Sequence, residues 1–275
     1  GVTWKKIATI TNGSTTSYTD KDRSAGKRYQ YMVKAYTTYK SKKYYSLRSQ
    51  AVEGIMLKKT TVTAKSAGYR SILVSWKAVK GADGYLISYR KKGTSNWDYW
   101  EVGSDLTSFT VTYLDYYTTY EFRVQPFCNA NYYWKVDETT YEKMDFVEYL
   151  GPNSSTVTAK PVLSKPVMSG GNTYYEAEHG SEVNEVIWYK VEGAEYYEIW
   201  RATSSTGTYK LAGTVMQNDV QSVLEDGRYF WKKDEAYGKT RYYKVRAVNE
   251  YNGVNKYSSF GKIIVVKTGY KWYYK

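Results

Sequence analysis

The 275-residue sequence predicts an all-β chain built from repeated antiparallel units, and three observations carry that expectation. In the stretch Ser71–Arg90, Ile72, Val74 and Trp76 alternate with Ser71, Leu73 and Ser75, the period of a strand with one buried face. Two glycines and Asp83 then break the pattern as a turn would, and Tyr85–Tyr89 returns as a strand rich in aromatic and β-branched side chains. The same unit recurs at Glu185–Arg201: Trp76 precedes Ala82 by six and Tyr85 by nine, and Trp188 precedes Ala194 by six and Tyr197 by nine. Equal spacing of this kind marks an internal repeat. The third observation is the aromatic supply, 34 Tyr and 9 Trp against 6 Phe. Tyr buries a ring and keeps its hydroxyl wet, which suits strands with one solvated face.

Taken in order, residues 1–58 read as short strands without a beginning. Trp4–Ile10 alternates, Asn12-Gly13-Ser14 turns, Thr16–Asp20 is a short strand ending, and Gly26–Ala35 puts Tyr29, Tyr31, Val33 and Ala35 on one face. Leu47–Ile55 closes the unit. Later copies of the Tyr/Val strand are Tyr120-Phe122-Val124-Pro126 and Tyr243-Val245-Ala247. Trp76 lies 48 residues before Val124 and Trp188 57 before Val245, so either interval counted back from Val33 runs off the N-terminus. The first unit is therefore expected to lack its Trp strand and whatever precedes it. The second unit runs over 59–160, with strands at Thr61–Lys65, the Trp and Tyr85 strands, Trp97–Val102, Ser108–Thr112, Tyr120–Pro126 and Ser154–Ala159. Asn129–Tyr149 between the last two is too long for an ordinary hairpin loop. Pro161 and Pro166 bracket a stiff linker. The third unit spans 161–267, and 268–275 is an aromatic-basic tail.

Composition bounds the function. Cys128 is the single cysteine, so no intrachain disulfide forms, and no apolar run reaches the length of a membrane helix. Net charge is +13, but residues 1–58 alone hold twelve Lys and Arg against three Asp and Glu, with Lys40, Lys42 and Lys43 crowded into one loop. Such a field solubilises the chain and also draws anionic polymers, including cell-wall polymers and acidic glycans. A nucleic-acid site is the less expected reading.

The segments WKAVKGADGYLISYR and TTYEFRVQPF, with GPNSSTVTA closing the unit, resemble a fibronectin type III domain, and GAEYYEIWR and YYKVRAV resemble its bacterial secreted and surface form. The resemblance implies tandem immunoglobulin-like β-sandwiches, each with one sheet of strands A, B and E and one of C′, C, F and G. Trp76 and Trp188 then become strand-B core residues, and Val33, Val124 and Val245 strand-F core residues. Tyr29 and Tyr120 match the family's tyrosine corner, whereas the third domain has Arg241 there. The first domain, 1–58, matches strands C′, E, F and G only, lacking A, B and C.

Enzyme signatures are sparse. A nucleophile–His site needs a histidine, and the single one, His179, lies among acids and glycine in AEAEHGSE, the setting of an exposed loop residue. No phosphate loop, His/Cys metal cluster or cofactor motif is present in the sequence. Recognition is expected instead from the F–G insertion, which carries Tyr132, Tyr133, Trp134, Tyr141 and Phe146 beside five acids, and from surface aromatics such as Trp100. The expected protein is non-catalytic, extracellular or on the cell surface: tandem modules serving as spacer and adhesion surface for a protein or glycan ligand. Two alternatives stand beside it. One is the glycan-binding accessory region of a carbohydrate-active enzyme. The other is an assembly subunit whose residues 1–58 are completed by strands of a second chain.

Overall fold

The computed structural model describes residues 4–21, 23–135, 141–177 and 180–269, with backbone alone for 130–135 and 141–147. His179 and the aromatic part of the tail lie outside the described residues. Among the described residues there are strands and a 3₁₀ turn at Val220–Ser222, and no α-helix. No helix is long and apolar enough to cross a membrane.

In the first segment β1 (Arg28–Tyr31) pairs antiparallel with β4 (Val52–Ile55), and β2 (Tyr36–Tyr39) with β3 (Lys42–Tyr45) between them. The strands expected at Trp4–Ile10 and Thr16–Asp20 are not formed: no strand precedes β1 among the described residues. The reason is physical. A strand needs a partner for its backbone groups, and β1 pairs with β4 and β2 with β3, so among the described residues no strand pairs with these segments. The same absence corrects the placement of Val33 in a core. With no second sheet facing it, Val33 is 71% exposed.

The middle domain contributes β5 (Val62–Gly68), β6 (Ser71–Trp76), β7 (Gly84–Lys91), β8 (Asp98–Gly103), β9 (Ser108–Val111), β10 (Tyr120–Lys135), β11 (Tyr141–Leu150) and β12 (Val157–Ala159). They form a β5-β6-β9 sheet and a β11-β10-β7-β8 sheet with β12 also on β10. The third domain repeats the plan with β13 (Met168–Glu176), β14 (Ser181–Trp188), β15 (Tyr196–Ala202), β16 (Lys210–Met216), β17 (Tyr229–Glu235), β18 (Thr240–Tyr251), β19 (Val254–Tyr257) and β20 (Ile264–Lys267). Its sheets are β13-β14-β17 and β16-β15-β18-β19, with β20 on β18. The chain is all-β, in sandwiches of the immunoglobulin-like kind.

The repeated spacing becomes repeated chemistry. Trp76 and Tyr85 pack with ring centroids 5.3 Å apart, and so do Trp188 and Tyr197. Each tyrosine hydroxyl accepts the N–H of the residue six positions earlier, Val79 at 2.8 Å and Val191 at 2.9 Å. The fixed interval thus ties a core ring pair to the turn that precedes it. In the third domain Trp188, Tyr197, Ile199, Tyr243 and Val245 form one buried cluster.

The corners also correspond. Ser24 N–H donates to the Tyr29 hydroxyl at 3.1 Å and Asp115 N–H to the Tyr120 hydroxyl at 3.0 Å. Arg241 takes this position in the third domain, and the amide five residues earlier, Ala236, donates to Glu235 Oε1 at 3.1 Å. Arg241 grips that same carboxylate with Nε at 2.7 Å and a second nitrogen at 2.8 Å. A bidentate ion pair, strong because both groups are charged and oriented, replaces the phenol. A third regularity joins the last two strands of every unit. Ser49, Ser154 and Gly261 donate their amides to the carbonyls of Val33, Val124 and Val245 at 2.8–2.9 Å. Ser46, Gly151 and Ser258 do the same to Ala35, Pro126 and Ala247, also at 2.8–2.9 Å.

Contacts group the chain into two compact units, one comprising 1–63, 75–109 and 121–157, the other 64–74, 110–120 and 158–275. Each contains one domain junction, centred on the same turn glycine. In the first unit a Cβ on Gly81 (φ +85°) would lie 2.7 Å from Gly26 Cα and 2.9 Å from Ile55. In the second unit a Cβ on Gly193 (φ +77°) would lie inside the Tyr69 ring. Both positions need glycine twice, for the left-handed backbone and for the close approach.

Candidate functional site

The F–G connections are the variable part of this frame. Counted between the paired carbonyl and amide positions, the first and third are equal in length, Ala35 to Ser46 and Ala247 to Ser258. The second, Pro126 to Gly151, is fourteen residues longer. The insertion is not a loop, as its length alone suggests. It is a two-stranded ribbon in which β10 and β11 pair from Phe127↔Leu150 out to Lys135↔Tyr141, with a register shift between Asn131 and Tyr132. Tyr, Trp, Val and Phe supply the β-propensity that length-based reasoning overlooks.

The register places Tyr132 opposite Met144, Trp134 opposite Glu142, Asn131 opposite Phe146 and Tyr141 opposite Lys135, so the five aromatic residues singled out from sequence share one ribbon. Trp100 is elsewhere, on β8. It is 47% exposed and lies against Phe109 at a centroid distance of 5.6 Å.

The ribbon's root is rigid. Asp83 Oδ2 accepts the Asn129 N–H at 2.8 Å and an Arg28 nitrogen at 2.8 Å. Arg28 also donates to the Asn129 carbonyl at 2.9 Å and to Glu53 at 2.7 Å. Burial alone would raise the Asp83 pKa, but the Asn129 amide, the Cys128 thiol and Arg28 together hold it below the ordinary carboxylate value. Phe127 packs where a side chain on Gly84 would stand. Cys128 is fully buried, and its pKa is pushed up to about 11 by burial and by Asp83. A thiol held protonated this way is a packing residue, not a nucleophile. Among the described residues no three His, Cys, Asp or Glu converge as a metal set.

A second Trp, Trp97, lies under the guanidinium groups of Arg90 at 4.3 Å and Arg123 at 4.2 Å. Arg90 is itself paired with Glu121 at 2.7 Å.

Residues 59–139 match the fibronectin type III domain. That match covers the middle domain up to the outer part of the ribbon. Two solved chains are similar. One is the crystal structure of chicken CNTN1 FN1-FN3 domains: 14% identity, 87% of this chain and 78% of that chain covered, TM-score 0.33. The other is a two fibronectin type III domain segment from chicken tenascin: 15% identity, 75% of this chain and 97% of that chain, TM-score 0.39. No curated protein matches the chain in sequence.

Two features escape sequence reasoning. Gly81 and Gly193 read as ordinary turn residues, although their equal place six before Ile87 and Ile199 was available as a repeat signal. The serines at 46, 49, 154 and 258 are ordinary residues whose role appears only once the strands are paired.

Proposed function

We propose that the chain is a non-catalytic run of fibronectin type III modules from a bacterial secreted or cell-surface protein, acting as spacer and as adhesion surface. The observation that carries this reading is the β10–β11 ribbon. An aromatic and acidic extension stands on a rigid, hydrogen-bonded root, at the one F–G connection that departs from a shared length. Rigid scaffolds that present one elaborated connection are the usual arrangement for recognition, and aromatic anchors among adaptable polar groups suit a protein partner.

The test replaces residues 131–146 by an Asn-Gly turn, restoring the length of the third domain's connection. Wild-type and shortened chains are then probed on arrays of extracellular proteins and of glycans. Saturable binding to a protein, lost on shortening while the unfolding temperature is kept, is the expected result. Hydrolase activity that one carboxylate substitution abolishes would overturn the reading. The half-exposed Trp100 favours a second reading, a glycan-binding accessory module. Its mark is glycan binding that Trp100→Ala removes and shortening does not.

A further inference from the structure

The first F–G hairpin, Tyr36–Tyr45, is built on the same frame as the third domain's, Val248–Tyr257. Both close with two residues in the left-handed region: Lys40 (φ 46°) and Ser41 (φ 62°) in one, Asn252 (φ 52°) and Gly253 (φ 74°) in the other. Asn-Gly is the preferred pair for this turn, whereas Lys-Ser holds two residues with a Cβ in a region that such residues disfavour. Folding does not ask for that choice, since the third domain shows the preferred pair on the same frame.

The hairpin also breaks the usual division into a wet and a dry face. The register Tyr36↔Tyr45, Thr37↔Tyr44, Thr38↔Lys43 and Tyr39↔Lys42 puts Tyr39, Lys42 and Tyr44 on one side and Tyr36, Lys43 and Tyr45 on the other. Both sides are open: Tyr39 is 62%, Tyr44 49% and Tyr45 59% exposed. Lys43 lies over the Tyr36 ring at 4.4 Å and Lys42 over Tyr44 at 5.8 Å. From Arg23 to Val52 the sequence holds no Asp or Glu, and among the described residues Lys34, Lys40, Lys42, Lys43 and Arg48 have no acidic partner.

We propose that this hairpin is a binding finger for an anionic polysaccharide, with the lysines on its carboxylate or sulfate groups and the tyrosines against its sugar rings. The chemistry selects that polymer. Unneutralised lysines on both faces of a projecting ribbon offer point charges to a chain that wraps around it. Exposed Tyr rings beside those charges add apolar contact that a purely ionic site lacks. Phosphate polymers are better served by bidentate Arg, and the hairpin has none. Single-stranded nucleic acid is held in grooves, whereas this hairpin is open on both faces.

Polygalacturonate and dextran sulfate are the probes, with neutral dextran and a random single-stranded DNA as comparators, each titrated against the full chain at two salt concentrations. One or both anionic glycans should bind with salt-dependent affinity, and neutral dextran should not. K40Q/K42Q/K43Q should weaken binding at least tenfold, and Y39A/Y44A about threefold with the charge unchanged. K190Q/K210Q/K262Q, which removes the same charge from exposed third-domain positions, should leave it within twofold. Unfolding midpoints of all variants are measured alongside, so that loss of binding is read only from folded protein. Equal losses in the two lysine triples, no effect of the tyrosine pair, or DNA binding as tightly as either glycan would each overturn the assignment.

Discussion

The two domain junctions share a geometry and differ in chemistry. Each seats the preceding unit on the B–C turn glycine of the following domain, and each uses an E–F turn residue with positive φ, Gly26 (φ 74°) in the first and Tyr117 (φ 57°) in the second. Even the backbone anchor is repeated: Gly26 donates to the Met56 carbonyl at 3.0 Å, and Tyr117 to the Pro161 carbonyl at 3.1 Å. Around that constant frame the first junction is ionic, with Arg28 bridging Glu53 and Asp83. The second is aromatic. Tyr69, Tyr117 and Tyr251 surround Tyr116 with ring centroids 5.0–6.1 Å apart, and Lys160 sits over Tyr117 at 3.8 Å. The backbone decides where domains meet, and the side chains decide how firmly. Ion pairs with partly exposed partners contribute little in water, whereas buried rings contribute through area and contact geometry.

The largest expected effect falls on the aromatic junction. Tyr116 is 8% exposed, and burial pushes its pKa up to about 12. Tyr116→Ala should cost about 3 kcal/mol, the range for removing a buried ring, seen as a lower midpoint in denaturant. Next come the two glycines. Gly193→Ala and Gly81→Ala should each cost about 2 kcal/mol, from the left-handed backbone and from displacing the neighbour. The Gly81 neighbour is backbone and the Gly193 neighbour a ring, so the first substitution should also move more amide signals in an NMR spectrum. Identical perturbation maps would show that the two seats do not differ as argued. Arg28→Gln should cost about 1 kcal/mol, because it leaves Asp83 and Glu53 without their shared cation. Unfolding at low and high salt separates the junctions: the Arg28 effect should shrink as salt is raised, and the Tyr116 effect should not.

How far the sequence exposes this depends on whether a residue's role is local. The Trp–Tyr interval reports a ring pair and a hydrogen bond that lie within ten residues of each other, so counting finds them. The tyrosine corner spans five residues and is equally legible, down to the position where the third domain has Arg241 instead. What fails is long-range. Val33 has the pattern of a core residue, but its burial depends on a facing sheet that the pattern does not report. The F–G insertion reads as a loop because its two halves are strands only when paired with each other. The junction glycines are anonymous until Tyr69 or Gly26 is placed on them. The ribbon's candidate residues are found by composition, and their shared placement only by register.

The smallest expected effect is also the most selective, and it uses pH. Asp83 has a folded pKa below the ordinary value, so its contribution is complete above the unfolded pKa, about 4. That contribution is lost as pH falls through the folded value. Acid should therefore loosen the first junction, and with it the root of the ribbon, where the Asn129 amide donates to Asp83. At the second junction the Tyr117 amide is bonded to a backbone carbonyl, which does not titrate. Tyr116 there keeps the neutral form until pH rises to about 12, so acidification leaves its charge unchanged. Amide exchange, corrected for the intrinsic rate, reads both sites in one experiment. As pH falls from about 4 through the folded Asp83 value, Asn129 should lose protection while Tyr117, bonded to the Pro161 carbonyl, keeps it. Arg28→Gln should shift the Asn129 transition to higher pH, since the guanidinium is one of the groups holding Asp83 ionised. If Asn129 and Tyr117 lose protection together, the junctions open as one cooperative event, and the division into an ionic seat and an aromatic seat has no consequence for stability.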